Sequence, residues 1–423
     1  MKPETLLVTS VLVILTVTVP RKWILLPFVM AACIVPPDQR IIIFDLDFTT
    51  LRFCIMFAIL RLYLCNEVRR IKWNAFDKLF LAWVIVGAVV YCIQWHTMGA
   101  VIFKSGTLYD SLGLYWIFRM AIVSWSDIHR VIKMFAICAI ICAPLVIFER
   151  VTRNNLFVHL GNVPSYVHAG RYRCRGPFPH FIMMGLFWAS VLPIFVSYFA
   201  SGRSRSIYVL ASLSALVCVI LCASSTPLMA VVAIIFFGAL WKYRRYGRLI
   251  VLVIGASTFA LHVVMNSPVW HLVCRVNVFS GSTGWHRFNL FDQFVKNIGD
   301  WFLLGCNSIE HWGVYKSDIT NQYVLEGVRG GAITLVIFII LVVKAVWITG
   351  ICSMLSRNRE TRILYWGFCV AILGHCVSFW GVSYFGQIMM LLFFTLAIVS
   401  FAADRLQVVS VDASKVAAPL AVK

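Results

Sequence analysis

Charged residues are scarce in this chain, and acidic residues are the scarcest. Asp and Glu number 17 against 37 Lys and Arg, and all four together make up 13% of the 423 residues. A soluble domain usually carries about a quarter charged residues. Because 61% of the side chains are hydrophobic, a water-soluble fold could not bury them. The composition therefore excludes a soluble protein and predicts an all-α polytopic membrane protein.

Paired cysteines with metal-binding or redox spacing are also missing. The chain has fourteen cysteines, but no two are separated by the two residues typical of zinc and thiol–disulfide motifs. Most lie in apolar runs, as expected of small buried residues. We therefore expect no metal and no cofactor. Cys274 and Cys306 fall in one predicted outer loop, and their spacing leaves a disulfide between them open.

The net charge of +20 does not indicate a nucleic-acid partner. No basic helix or aromatic platform stands apart from the apolar segments, so the usual pattern of a nucleic-acid-binding protein is absent from the sequence. Lys and Arg instead flank the apolar runs, where they would face anionic headgroups. Membrane lipids are therefore the expected partners of this charge.

Thirteen apolar runs follow one another along the chain, and several are shorter than the ~20 residues of a full span. We therefore predict 12 or 13 transmembrane helices in a single membrane domain, residues 1–423. Pro20, Arg21 and Lys22 divide the first two runs, which leaves the N-terminal orientation open. The runs are 5–20, 23–36, 50–65, 79–96, 113–125, 134–148, 179–200, 206–223, 226–241, 249–266, 332–352, 364–380 and 385–402.

Four short linkers between these runs are rich in basic residues, and an even number of spans separates each linker from the next. All four can therefore lie in the cytoplasm, as the positive-inside rule requires. This arrangement places segments 97–112, 149–178, 267–331 and 381–384 outside. The linkers contain Arg69, Arg70 and Lys72; Arg203 and Arg205; Lys242, Arg244, Arg245 and Arg248; and Arg357, Arg359 and Arg362.

Three arginines at alternate positions stand in the first long outer loop, 149–178. The loop has five arginines against one glutamate, a net charge of +4, on the side where basic residues are normally sparse. In an extended segment Arg171, Arg173 and Arg175 point the same way, so their guanidinium groups can face one phosphate. The alternative is that they hold lipid headgroups. His180 follows a Gly-Pro turn and is a further candidate for substrate binding.

The second long outer loop, 267–331, contains a helical pattern of apolar residues at His286–Phe294. We predict a short helix that lies on the bilayer surface or caps a cavity. Arg287 is a candidate for a second phosphate contact. His286 is either a catalytic base or an interfacial residue.

Polar residues close the second loop just before an apolar run. A carboxylate at Asp318 could deprotonate an acceptor hydroxyl. The alternative is helix capping by Asp318 or Thr320, and the two roles are compatible. Asn321 and Gln322 follow directly, and we take both as candidate substrate contacts.

These segments resemble, in order and spacing, those of the O-antigen ligase and polymerase superfamily. Its members are multi-span bacterial enzymes that join lipid-linked glycans on the periplasmic face. The resemblance covers most of the chain. It is carried by Pro37–Asp47 before an Arg-containing span, Phe148–Phe157 at the start of the first loop, Arg173–Gly185 with its Arg-Gly-Pro-Phe-Pro-His stretch, and Asp318–Gly331 with its Tyr-Val-Leu and Gly-Gly residues.

The resemblance implies inverting, metal-independent glycosyl transfer in O-antigen or exopolysaccharide synthesis at the bacterial inner membrane. The donor would be an undecaprenyl-diphosphate-linked glycan, and the acceptor a glycan or a lipid-linked glycan. Arg173, Arg175 and Arg287 would hold the diphosphate. Ligases carry a histidine before the asparagine where this chain has Asp318-Ile-Thr-Asn321, which favours a polymerase or a related exopolysaccharide protein. Polysaccharide synthesis and export proteins would be further partners.

Two other classes of protein remain as alternatives. A lipid or polysaccharide transporter would show paired halves, broken helices near the bilayer midplane and charges deep in the spans. This chain instead concentrates its polar groups in the predicted outer loops. A non-catalytic scaffold of a polysaccharide-synthesis complex would tolerate alanine at the arginines of the first long outer loop.

Overall fold

The computed structural model describes almost the whole chain, which is mostly helical with almost no sheet, and this confirms the predicted all-α class. Two short antiparallel hairpins and several 3-10 turns complete the secondary structure of the described residues, which are 1–43, 46–164, 167–168, 170–275, 284–313 and 318–417. The strands are β1 (Arg40–Ile43), β2 (Leu46–Thr49), β3 (Val167–His168) and β4 (Arg171–Tyr172). The helices are α1 (Pro3–Thr18), α2 (Leu26–Ile34), α3 (Thr50–Leu64), α4 (Ala75–Trp95), α5 (Met98–Ala121), α6 (Trp125–Thr152), α7 (Phe181–Ser201), α8 (Arg205–Leu221), α9 (Ser225–Ala239), α10 (Gly247–Val264), α11 (Gly284–Lys296), α12 (Ile298–Trp301), α13 (Gln322–Leu355), α14 (Arg359–Phe379) and α15 (Gln387–Ala417).

Each of the thirteen apolar runs lies largely on one helix, α1 to α10 or α13 to α15. This is a membrane protein, because its described residues include seven helical segments that are long and apolar enough to cross a bilayer. The count of 12 or 13 spans stays a prediction, since helices such as α1 and α8 are shorter than a full span. The seven segments are Ala75–Trp95, Trp125–Thr152, Phe181–Ser201, Ser225–Val264, Gln322–Leu355, Arg359–Phe379 and Gln387–Gln407.

Residues 97–112 do not form the outer loop that the sequence predicts. They are the cap and the first turns of α5, whose N-cap Thr97 accepts a hydrogen bond from the N–H of Ala100 (3.2 Å). Asp110 lowers the hydropathy of this stretch, but Arg52 of α3 donates to both of its carboxylate oxygens at 2.8 Å. A bidentate ion pair lets a polar stretch join the bundle, and hydropathy does not detect it.

Both long loops lie at one end of the bundle, which we call the loop face. The first loop starts later than predicted because α6 continues to Thr152, and the second ends earlier because α13 begins at Gln322. Both loops contact the chain just before and at the start of α15. Gln387 donates to the carbonyl of Pro177 (3.0 Å), and the N–H of Tyr384 donates to Gln322 (2.7 Å). The fold therefore brings the two sets of candidate residues to the same face.

A buried ion pair holds the opposite end of the bundle. Asp77 near the start of α4 is fully buried and receives two hydrogen bonds from Arg119 of α5, at 3.0 and 3.1 Å. Tyr115 and Ser400 donate to the same carboxylate, and Asp404 of α15 also binds Arg119 (3.0 Å). Since α4 has 21 residues and its other end reaches the loop face, the two ends are separated by about 30 Å.

The predicted helix at residues 286–294 is present as α11 and is slightly longer than predicted. It packs into a small hydrophobic core of the second loop, where the ring of Phe294 stacks on Trp301 (3.9 Å). Phe291 contacts Trp380 at the end of α14 (4.8 Å), so the helix caps the bundle. Of the two predicted roles of this helix, lying on the bilayer surface or capping a cavity, the contact favours the second. The small core contains Leu290, Phe294, Trp301, Ile309, Trp312, Val324 and Val328.

α13 is broken at Gly331, where the backbone has a φ of +65°. The break exposes backbone groups that a continuous helix would use, and the second loop binds them. The N–H of Ala332 donates to the carbonyl of Phe302, and the N–H of Cys306 donates to the carbonyl of Val328, both at 2.8 Å. The loop is thereby joined to the helix through the main chain.

We expect Gly331→Ala to destabilise the protein by more than about 1 kcal/mol, because a side chain is strained at this φ. The added Cβ would also lie 2.9 Å from the carbonyl carbon of Leu303. Gly350→Ala, in the same helix with open space around it, is the matched control and should be neutral or slightly stabilising. Thermal unfolding in detergent measures both, and equal midpoints for the two variants would contradict the assigned strain.

Candidate functional site

A buried carboxylate fixes the backbone of the arginine loop, residues 171–177. Glu149 near the end of α6 is 1% exposed, and its two oxygens accept the N–H groups of Arg175 (3.0 Å) and Gly176 (2.9 Å). Cys174 donates its N–H to the carbonyl of Leu221, the last residue of α8 (3.1 Å). Consecutive N–H groups of this kind form an anion-binding nest, and here the anion belongs to the protein. The one available signal for Glu149 was its place as the sole acid among five arginines.

Two side-chain amides hold the turn that follows. Asn155 donates to the carbonyl of Gly176 (2.8 Å), and Gln387 donates to that of Pro177 (3.0 Å). Gly176 has a φ of +52°, a conformation that favours glycine. Each residue from 174 to 177 therefore has at least one hydrogen bond to its backbone. These bonds hold in place the backbone that carries Arg175 and adjoins Arg173.

Burial alternates along the arginine loop, in agreement with the extended segment that the sequence predicts. Tyr172 and Cys174 are 5% and 0% exposed, whereas Arg171 is exposed and Arg173 and Arg175 are half-buried. The arginines therefore share the side of the segment that faces away from the core.

Arg173 and Arg175 each have a contact that orients the guanidinium group. Arg173 lies over the ring of Phe181, the first residue of α7, at 4.7 Å. Arg175 donates through Nη2 to the carbonyl of Asn162 (3.1 Å), and burial lowers its pKa although Glu149 opposes the shift. Arg173 therefore lies at the start of α7, and Arg175 lies against the chain at Asn162.

His180 caps α7 close enough to these two cations to be affected by their charges. Its Nδ1 accepts the N–H of Ile182 (3.3 Å), so a neutral ring carries its proton on Nε2. Burial, followed by the charges of Arg175 and Arg173, lowers the pKa of His180 to about 4. The ring is therefore an uncharged hydrogen-bond donor at neutral pH.

Arg287 of α11 is a buried cation with little to balance it. It is 9% exposed, and its Nη2 donates to the hydroxyl of Thr226 at the start of α9 (2.7 Å). No carboxylate in the described part of the chain forms an ion pair with it, and its buried Nε has no hydrogen-bond partner there. Burial lowers the pKa of Arg287 because it disfavours the charged form. An unpaired buried charge is costly, so this position favours an anionic ligand.

His286 and Asp318 are in contact, but the imidazole ring binds the backbone of Asp318 and not its carboxylate. His286 Nε2 donates to the backbone carbonyl of Asp318 (3.2 Å), and the Asp318 side chain is exposed. The two segments of the second loop are therefore in contact. The role of the Asp318 carboxylate toward an acceptor, and that of His286 as a base, stay predictions.

Asn321 and Gln322 make internal hydrogen bonds. Asn321 is the N-cap of α13, so the alternative that Asp318 or Thr320 caps this helix is wrong: Asn321 Oδ1 accepts the N–H of Val324 (3.2 Å). The Asn321 amide also donates to the carbonyl of Trp380 (3.4 Å). Gln322 is 6% exposed. Its oxygen and nitrogen are used by two internal partners, one of them the Tyr384 N–H described above.

One short linker, residues 380–386, contacts all three sets of candidate residues. Trp380 touches Phe291 of α11 and accepts from Asn321, while Phe385 lies 6.5 Å from the His180 ring. Five residues of chain span at most about 18 Å. The arginine loop, the Arg287 helix and the start of α13 therefore surround one region of the loop face.

A cavity with both polar and apolar lining residues adjoins this region on the side of α4 and α5. It has a volume of about 160 Å³ and includes Lys104, Gln322 and Glu326 in its lining. Glu326 accepts hydrogen bonds from Trp83 Nε1 (3.0 Å) and Gln322 Nε2 (2.8 Å). Lys104 and Glu326 lie in two different predicted outer loops, 97–112 and 267–331, and nothing in the sequence indicated that they line one cavity.

Comparisons with protein-family models, curated proteins and solved structures found no match to this chain. The disulfide between Cys274 and Cys306 that the sequence left open involves a Cys274 side chain outside the described residues. Because no known protein matches, the proposed function depends on the geometry of the loop face.

We expect Glu149→Gln to loosen the arginine loop, because one N–H group would face an amide nitrogen in place of an oxygen. Losing a buried acceptor costs about 1–3 kcal/mol. Hydrogen exchange of peptides covering residues 171–178 should accelerate, and the thermal midpoint should fall. Glu310→Gln, an exposed glutamate on the same face, is the control and should change neither. Unchanged exchange in Glu149→Gln would refute the anchoring role.

The depressed pKa of His180 predicts a loss of stability in acid. An unfolded histidine titrates near 6.5 and the folded one near 4, so the unfolded chain binds more protons between these values. Stability should therefore fall as the pH drops from about 6.5 to about 4. His180→Asn keeps a capping side chain but cannot titrate, so its midpoint should fall less over this range. Parallel pH profiles for the two proteins would argue against the assigned shift.

Proposed function

We propose that this protein is a membrane glycosyltransferase that uses an isoprenoid-diphosphate-linked glycan at its loop face. The observation that supports this most is the buried guanidinium group of Arg287, whose described hydrogen-bond partner is a neutral hydroxyl. A diphosphate would supply both the missing negative charge and oxygens that match the guanidinium fork. Arg173 and Arg175, held on an anchored backbone, would bind the remaining phosphate oxygens.

The proposed reaction is a substitution at the anomeric carbon of the donor sugar. An acceptor hydroxyl oxygen forms the new bond while the bond to the diphosphate oxygen breaks, and its electron pair leaves with the diphosphate. The arginines stabilise that leaving charge, so a metal is not required. Neutral His180 would donate a hydrogen bond from Nε2, and Asp318 would accept the proton of the hydroxyl. Attack from the opposite face inverts the anomeric configuration.

The proposed setting is the bacterial inner membrane, with the loop face in the periplasm. Basic linkers at the other end of the bundle support this orientation. The donor would be an undecaprenyl-diphosphate-linked oligosaccharide, and the product would belong to O-antigen or exopolysaccharide synthesis. Lengthening of the lipid-linked glycan would identify a polymerase, and transfer to a different lipid acceptor would identify a ligase.

Reconstitution in proteoliposomes with an undecaprenyl-diphosphate oligosaccharide tests the proposal. Arg287→Gln should lower the rate of product formation by about 100-fold or more, as loss of one donor to a developing anion does elsewhere. Arg287→Lys, which keeps the charge but loses the fork, should fall in between. Arg150→Gln removes an exposed arginine on the same face and is the matched control, with activity near that of the wild type.

The other classes of protein give different outcomes in this assay. A transporter would bind or move the labelled donor without forming product. A scaffold would form no product alone and would tolerate Arg287→Gln in cells, with polysaccharide length and abundance unchanged. Equal activities for Arg287→Gln and Arg150→Gln would contradict the role assigned to Arg287.

A further inference from the structure

A second group of cations stands at the end of the bundle opposite the loop face. Arg69, Arg70 and Lys72 lie in the linker between α3 and α4, and all three side chains are exposed. None of them forms a hydrogen bond or an ion pair with another residue in the described ranges. Three neighbouring cations without a partner repel one another, so an anion bound among them would be stabilised.

These cations form the rim of a pocket of about 500 Å³. Five basic side chains and one carboxylate line it, which gives the lining a net charge of +4. The charged residues of the lining are Arg69, Arg70, Lys72, Arg119, Arg405 and Asp404.

The acidic groups at the floor already accept hydrogen bonds from neighbouring side chains. Asp404 accepts from Asn74 (2.8 Å) and from Arg119 (3.0 Å). Asp77, behind Arg119, accepts from Tyr115 (2.7 Å) in addition to the two bonds from Arg119. The floor is therefore a hydrogen-bonded network in which both carboxylates pair with Arg119, and neither forms an ion pair with a rim cation within the described residues.

The walls of the pocket are apolar and aromatic. Met120, Ile122 and Phe401 contribute to them, and the guanidinium group of Arg405 lies 5.2 Å from the Phe401 ring. A basic rim beside apolar walls matches a molecule with a phosphate at one end and a hydrocarbon at the other. A diffuse basic surface would offer the charge without such walls.

We propose that this pocket is a second anion-binding site, which takes the phosphate of an anionic phospholipid headgroup. The site is independent of the glycosyl transfer proposed above, because the two ends of α4 are about 30 Å apart. The rim arginines would bind the phosphate oxygens through paired N–H groups, and Phe401 with its neighbours would contact the glycerol and the upper acyl chains.

Titration of the full-length protein in neutral detergent with short-chain phosphatidylglycerol, followed by native mass spectrometry, tests the site. Arg69→Gln/Arg70→Gln/Lys72→Gln should weaken binding by at least about tenfold. Lys242→Gln/Arg245→Gln/Arg357→Gln removes the same charge from exposed positions in other linkers at this end and should weaken it by less than about threefold. Equal losses in the two triple variants would overturn the proposal and leave a diffuse electrostatic surface.

Two further arms complete the test. Arg405 lines the pocket from α15 and not from the linker. Unchanged binding in Arg405→Gln would also count against the site. Inorganic phosphate, titrated in the same detergent, separates a lipid headgroup from a free phosphate. Weak phosphate binding beside tight lipid binding supports the lipid as the ligand, and equal affinities would overturn the assignment to a lipid.

Discussion

A charge inside this apolar bundle needs an opposite charge or hydrogen bonds, and only 17 acidic residues can supply the opposite charge for its cations. Glu149 binds the backbone of the arginine loop, Asp77 binds Arg119, and Asp110 binds Arg52. Each of these carboxylates fixes the position of one or two helices. Arg287 has no such partner in the described chain, and the proposed donor site depends on that imbalance.

Much of this architecture could be predicted from the sequence, because hydropathy and alternation act over short distances. All thirteen apolar runs lie on helices, and α11 is present where the apolar spacing indicated it. The alternation of Arg171, Arg173 and Arg175 with buried Tyr172 and Cys174 follows from an extended backbone alone. These features need no knowledge of which helices are neighbours.

The remaining features depend on contacts between residues far apart in the chain. The polar half of α5 is stabilised by Arg52, and the nest at Arg175 and Gly176 is filled by Glu149. Hydropathy gives both stretches the signature of a loop. Capping by Asn321 instead of Asp318 or Thr320 likewise depends on where α13 meets Trp380. Local patterns located the candidate residues, but tertiary partners decide which of them still have free polar groups.

The break in α13 has a consequence for how this chain folds. It lets the second loop exchange main-chain hydrogen bonds with the helix, and the same loop has a small core of its own around Phe294 and Trp301. All of these contacts lie within residues 284–332, so their sequence separation is low compared with contacts between the spans. Low contact order favours rapid, local assembly. The described residues of 284–332 are therefore joined to one another mainly by local contacts, and a few long-range contacts, such as that of Phe291 with Trp380, attach them to the helical bundle.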